Sequence, residues 1–241
     1  YCMINKNIIY DFSISSYCNA ACPSCKRYGT YSDPIPLDSS VDPNQKLHPS
    51  LRQLHIKFED FKEVIEKNMH NFKGYVVTFE GELGDAMVHP QVMKFIDYGC
   101  SIFGTLKIVT NGGNRKSDFY KELGTRYKNL EMIFSIDGMK DDTNQIYRRR
   151  VRTERALSNM AAFANTKNGW VNTYWQFLIF NHNFFEIPDA LSFAKTNNIT
   201  IHLKFNQRPK FLINEKRKRM ATYLYEKHKH EGGVSTLTLG N

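Results

Sequence analysis

An α/β fold with parallel strands, a partial (βα)6 TIM-like barrel, is what this sequence predicts, on three observations. Strand-like apolar runs alternate with segments of helical spacing along the chain. The six strand runs are Ile8–Ser15, Tyr75–Phe79, Leu106–Thr110, Glu131–Ile136, Thr173–Phe180 and Thr200–Phe205. Short polar signatures follow the strand runs: a cysteine loop after the first, Gly81-Glu82-Leu83-Gly84-Asp85 after the second, Thr110-Asn111-Gly112-Gly113 at the third, Ser135-Ile136-Asp137-Gly138 at the fourth and Asn181 after the fifth. Strand and helix in alternation argue for right-handed βαβ units, and such sheets carry function at the carboxyl ends of their strands.

The helical segments come between and after these runs. Apolar residues recur at helical spacing over Phe58–Asn71, Pro90–Phe103, Lys116–Tyr127, Thr153–Thr166 and Phe184–Thr196, with a last, basic segment at Ile213–Lys229. Residues 27–55 break the pattern. They contain Pro34, Pro36, Pro43 and Pro49 with little periodicity, so a long loop is expected there, of the kind that serves as lid or binding loop. With 241 residues, 41% of them hydrophobic and 13% aromatic, the chain can bury one large core, and a single domain over 1–241 is expected. No stretch approaches the roughly 18 apolar residues of a membrane span. The opening YCMINKNIIYDF lacks the order of a signal peptide, so a cytoplasmic protein without a membrane partner is expected.

Five cysteines are too few and too unevenly placed for a disulfide framework, because three of them fall within eight residues. Cys18-Asn-Ala-Ala-Cys22-Pro-Ser-Cys25 puts three soft ligands on one loop, close enough to grip one compact iron–sulfur cluster. Three thiolates on a four-iron cube leave one iron open. Structural zinc is the competing chemistry, with His48, His55 or Cys2 as a fourth ligand, although no second CxxC pair is present.

CxxxCxxC after a first strand, within a six-fold βα alternation, resembles the radical S-adenosylmethionine (SAM) superfamily along nearly the whole chain. That resemblance implies a [4Fe–4S] cluster on Cys18, Cys22 and Cys25, whose open iron chelates SAM, and a reducing partner such as flavodoxin or ferredoxin. Reductive cleavage of SAM would give a 5′-deoxyadenosyl radical that takes a hydrogen atom from the substrate. By the same resemblance, Gly84 and Asp85 match the Gly-Glu pair of the family's Gly-Gly-Glu-Pro segment, with Leu83 for its first glycine and Ala86 for its proline. Asp85, Glu80 or Glu82 would then complement the SAM ammonium. Asn111 and Ser135 would line the SAM pocket, Asp137 would meet a ribose hydroxyl or substrate, and Arg148 or Arg149 would fork onto the carboxylate.

On the fifth strand, alternation sends Tyr174, Gln176 and Leu178 to one face, and a polar Gln176 among apolar neighbours marks a barrel-lining position. Asn181 just beyond resembles the family's strand-end asparagine. Asn206 and Arg208 close the sixth strand, where they could meet an anionic substrate. Ser-Ile-Asp-Gly and the layout most resemble peptide-modifying members, without their cysteine-rich extension, so a peptide or protein substrate is expected. The formal charge of +9 keeps a nucleotide or other small anionic metabolite in play. Clusters at Arg148, Arg149, Arg150, Arg152 and Arg155 and at Lys216–Arg219 also leave a zinc-stabilised nucleic-acid-binding module open, or simply two solvated helix faces.

Overall fold

A computed structural model describes residues 9–28, 47–207, 211–230 and 234–238. Cys2, Arg208 and most of the expected 27–55 loop lie outside them. Seven strands form one sheet among the described residues, every pair parallel and the spatial order that of the chain. They are β1 (Ile9–Phe12), β2 (Val76–Phe79), β3 (Thr105–Thr110), β4 (Leu130–Ser135), β5 (Thr173–Ile179), β6 (Thr200–Phe205) and β7 (Ser235–Thr238). The helices are α1 (Phe58–Lys67), α2 (Met69–Phe72), α3 (Val92–Ile102), α4 (Ser117–Arg126), α5 (Asp141–Tyr147), α6 (Thr153–Ala164), α7 (Ile187–Thr196) and α8 (Glu215–His228). None of the described helices is long and apolar enough to cross a membrane.

Strictly sequential strand order decides how the layers form. Right-handed crossovers between neighbours that never reverse direction put every helix on the same face of the sheet, which is the layout of a barrel. Side-chain burial follows. On the helix side Leu106, Ile108, Met132, Phe134, Trp175, Phe177, Ile179, Ile201 and Leu203 are fully buried. Their alternates Lys107, Glu131, Tyr174, Gln176, His202 and Lys204 are only half-buried. The second face is polar, with Lys107 and Glu131 ion-paired at 2.9 Å across β3 and β4, and His202 Nδ1 within 2.7 Å of Thr236 Oγ1 across β6 and β7. Gln176 sits on this face, as its alternation requires.

Several boundaries depart from the sequence expectation. The first strand ends at Phe12, because Ser15 turns away to bridge His55 from the opposite direction. The expected helix 58–71 splits at Asn68, whose φ of −123° leaves the helical range. Its Nδ2 donates to Val64 O at 2.9 Å, so the side chain competes with the backbone ladder at the break. The helix expected from Pro90 starts at Val92, after His89 Nδ1 has accepted from Gln91 N at 3.0 Å. Two elements are additional: α5 fits within the polar stretch after Ser135-Ile136-Asp137-Gly138, and β7 adds a seventh strand to the expected six. Of the basic clusters, Lys216, Arg217 and Arg219 are exposed on α8, whereas Arg149 is buried and Arg148 pairs inward.

Phe134 is fully buried on the central strand β4, its ring 5.6 Å from that of Tyr120. Phe134→Ala is expected to cost about 3–5 kcal/mol. Urea unfolding should show a lower midpoint at unchanged slope, and a loss below about 1 kcal/mol would contradict this packing.

Candidate active site

The loops that leave the carboxyl ends of β1 to β4 meet around a cavity of about 190 Å³. It is lined by Cys18, Cys22 and Cys25 from the first loop, Gly81, Glu82, Gly84 and Asp85 from the second, and Thr110 and Asn111 from the third. Ser135 at the end of β4, and Tyr147 and Arg148 after α5, complete the wall, with Lys26 and Arg27 beside the cysteines.

Close backbone approach brings the first two loops together. Asp85 N donates to Tyr17 O at 2.8 Å, and a Cβ on Gly84 would stand 2.0 Å from Ser15 O, so only glycine fits that contact. The Asp85 carboxylate is 2% exposed and accepts from Met87 N (2.9 Å), Thr110 Oγ1 (2.9 Å), Asn111 N (3.0 Å) and Asn111 Nδ2 (2.7 Å). Those donors occupy its lone pairs. Asn111 in turn reaches Asn19 Oδ1 at 2.8 Å and Cys18 Sγ at 3.6 Å, which joins the third loop to the cysteines. Glu82 also faces the cavity and pairs with Lys26.

On the opposite wall, Asp137 is fully buried behind the lining residues. Its Oδ2 accepts from Arg148 Nε at 2.6 Å and its Oδ1 from Leu178 N at 2.8 Å, and its backbone N donates to Asn144 Oδ1 at 2.8 Å. Arg148 Nη1 then lies 4.0 Å from Cys22 Sγ. Arg148 is therefore the arginine at the cavity wall, while Arg149 is buried beyond it.

Of the residues picked from sequence, Gly84, Asp85, Asn111, Ser135 and Arg148 come together with the three cysteines, and Asp137 stands one layer behind. Gln176 and Asn181 are not among the lining residues. Asn181 holds the chain before α8, donating to Leu212 O at 3.2 Å and accepting from Asn214 N at 3.0 Å. Two positions further on, Asn183 is the buried asparagine that ties β5 to β4, with Nδ2 2.8 Å from both Asp137 O and Leu178 O. Asn159 is a second residue the sequence did not disclose. From α6 it donates to Gly112 O at 2.8 Å and Asn114 O at 3.1 Å, bracing the third loop from behind. Neither carried a signal beyond being a polar residue in a helical or loop segment.

The donor set discriminates between metal groups. Burial pushes the Cys18 and Cys22 thiols well above their ordinary range, with the Arg148 charge opposing the rise at Cys22. They stay protonated until a metal displaces the protons. Structural zinc takes four cysteine or histidine ligands, and the described lining of this cavity supplies three cysteines and no histidine. Three thiolates suit a four-iron cluster. His48 and His55 are not among the lining residues: His48 Nδ1 accepts from Ser50 N at 3.2 Å, and His55 stacks on Tyr17 with centroids 4.5 Å apart.

No family model and no curated protein matches this sequence. Solved structures do match it in fold. The chain superposes on Streptococcus suis SuiB bound to S-adenosylmethionine with a TM-score of 0.63 at 13% identity, covering 97% of this chain and 50% of that one. SuiB bound to its precursor peptide SuiA gives 0.64 at 13% over 96% and 48%, and anSMEcpe with bound AdoMet and Cp18Cys peptide 0.60 at 14% over 95% and 62%. The chain thus shares the fold of these structures, in line with the parallel α/β barrel-like architecture expected from the sequence, and it spans about half to three-fifths of their length.

Two outcomes are expected from these contacts. Asp85→Ala strands donors in two loops and should cost about 3 kcal/mol or more, with faster amide exchange at Met87 and Asn111; unchanged exchange would refute the bracing role. His182, stacked on Phe180 with centroids 5.0 Å apart, is held by burial at about 4, below its ordinary 6.5. The unfolded chain then takes up the proton first as pH falls, so this contribution is complete above about pH 6.5 and is lost progressively toward pH 4. His182→Phe should flatten that part of the acid-unfolding curve, which urea titrations at pH 7 and pH 4.5 would measure.

Proposed function

We propose that the chain is a radical SAM enzyme that acts on a peptide or protein. The observation carrying this reading is the gathering of Cys18, Cys22 and Cys25, with Asn111, Ser135 and Arg148, around one cavity at the carboxyl edge of the sheet. A [4Fe–4S] cluster with SAM would supply the hard chemistry there, a radical able to abstract hydrogen from the substrate.

The protein's own residues hold and orient these groups. Cys18, Cys22 and Cys25 would hold the cluster. Asp85 serves the pocket by bracing, since its acceptors are engaged by Met87, Thr110 and Asn111. Glu82 is therefore the better carboxylate for the SAM ammonium, exchanging its contact with Lys26. Ser135 offers a hydroxyl to SAM oxygens. Arg148, with Nε fixed by Asp137, presents its remaining N–H groups to the SAM carboxylate.

Two features support a peptide substrate. Neighbours in fold were solved with the peptides SuiA and Cp18Cys. The half-buried polar face of β3 to β6, with Lys107, Glu131, Gln176 and His202, offers hydrogen-bonding partners to an extended chain. The charge of +9 makes a small anionic metabolite the second reading, and an electron donor such as flavodoxin or ferredoxin the natural acidic partner.

Anaerobic reconstitution followed by iron and sulfide analysis, then reduction with SAM present, tests the proposal. About four irons per chain and release of 5′-deoxyadenosine are expected. Cys18→Ala, Cys22→Ala and Cys25→Ala should each abolish the cluster, whereas Cys100→Ala should retain it. A protein that takes up no cluster, or that makes no 5′-deoxyadenosine once loaded, would refute the assignment.

A further inference from the structure

Arg27 is a buried cation without a matching anion among the described residues. It is 2% exposed, it lines the cavity with the three cysteines, and its Nε is one of the buried polar atoms that lack a hydrogen-bond partner. Its other contacts are long: Nη1 lies 3.4 Å from Ala20 O and 3.5 Å from the Tyr28 hydroxyl, and the guanidinium is 5.3 Å from the Tyr28 ring centroid. The other cations on this cavity are compensated, Arg148 by Asp137 and Lys26 by Glu82. Among the described residues no carboxylate forms an ion pair with Arg27.

A guanidinium taken out of water is costly unless an opposite charge and acceptors meet it. The cavity that Arg27 lines with the three cysteines is where an opposite charge would be held. The contact to Ala20 O places Arg27 against the backbone of the cysteine loop. A four-iron cluster on three thiolates is an anion rich in sulfur acceptors, and it gains one more negative charge when it accepts an electron.

We infer that Arg27 is the buried counter-cation of the metal cluster, a positioning residue whose charge favours the reduced cluster over the oxidised one. This rests on the radical SAM reading above. Charge and N–H···S bonds near a cluster set its reduction potential, and removing a buried cation penalises the more negative state most. The step concerned is a one-electron reduction by an external donor, with no bond made or broken at Arg27.

The test uses the reconstituted chain without SAM, titrated with dithionite and followed by the electron paramagnetic resonance of the reduced cluster, alongside iron content and circular dichroism. Arg27→Gln keeps an N–H donor and removes the charge, and Arg27→Lys keeps the charge. The Gln variant should shift the midpoint potential to more negative values or lose cluster, while the Lys variant should recover most of the wild-type potential and iron content. A Gln variant with wild-type iron and unchanged potential overturns the inference. So does equal loss of cluster in both variants with native circular dichroism. Unchanged potential combined with weaker SAM binding would instead give Arg27 to the SAM carboxylate and also overturn it. Wild-type protein that takes up no cluster would sink the function itself, whereas each of the other failures leaves that function standing.

Discussion

The carboxylate of Asp85 sits where three loops must meet, and the cavity has a fixed shape because this one charge is buried among donors from the protein itself. Its own backbone N holds the segment before Cys18, its side chain holds Met87 within its own loop, and Thr110 and Asn111 come to it from the end of β3. An isolated carboxylate at 2% exposure would be untenable. Four converging donors offset that cost, and each is itself part of the cavity or directly beside it. Replacing any one loop without the others would leave either a buried charge or a buried N–H without a partner.

Asp137 plays the same part on the other side. It carries the segment after β4, the end of β5 through Leu178 N, and the guanidinium of Arg148, while Asn183 secures the Asp137 carbonyl. The two carboxylates thus frame the cysteine loop from opposite walls. Asn111 passes the first network to Cys18 and Arg148 passes the second to Cys22. A site that must hold a bulky metal group in one orientation needs such support behind its contact residues.

Legibility from sequence varied with the kind of constraint. Periodic elements such as β3, β4, α3 and α6 were readable because their apolar spacing is their packing surface. The break at Asn68 was not, since it depends on a single side chain turning back onto Val64 O. Strand β7 is a four-residue sheet edge, too short to show a period. Helix α5 is held by its surroundings, with Thr143 Oγ1 on Glu186 and Asn144 Oδ1 on Asp137 N, so little in its own residues announces it. Gly84 and the cysteines could be picked out because their chemistry is rare; Asn159 and Asn183 could not, because an asparagine becomes a brace only when distant carbonyls are brought to it.

The sequence by itself determined the alternation of strands and helices, the edge of the sheet on which the unusual residues gather, and the three thiols that share one loop there. These are local properties, set by side-chain period and by spacing along a few residues. Tertiary structure alone decided that Asp85 braces the cavity, that Arg148 faces it while Arg149 is buried beyond, that Asn183 rather than Asn181 joins β5 to the cavity wall, and that Arg27 is left as a buried charge beside the cysteines. Each of those outcomes depends on which donor or acceptor arrives from a strand tens of residues away. A hydrogen bond or an uncompensated charge belongs to a pair of positions in space, and no single stretch of chain contains both.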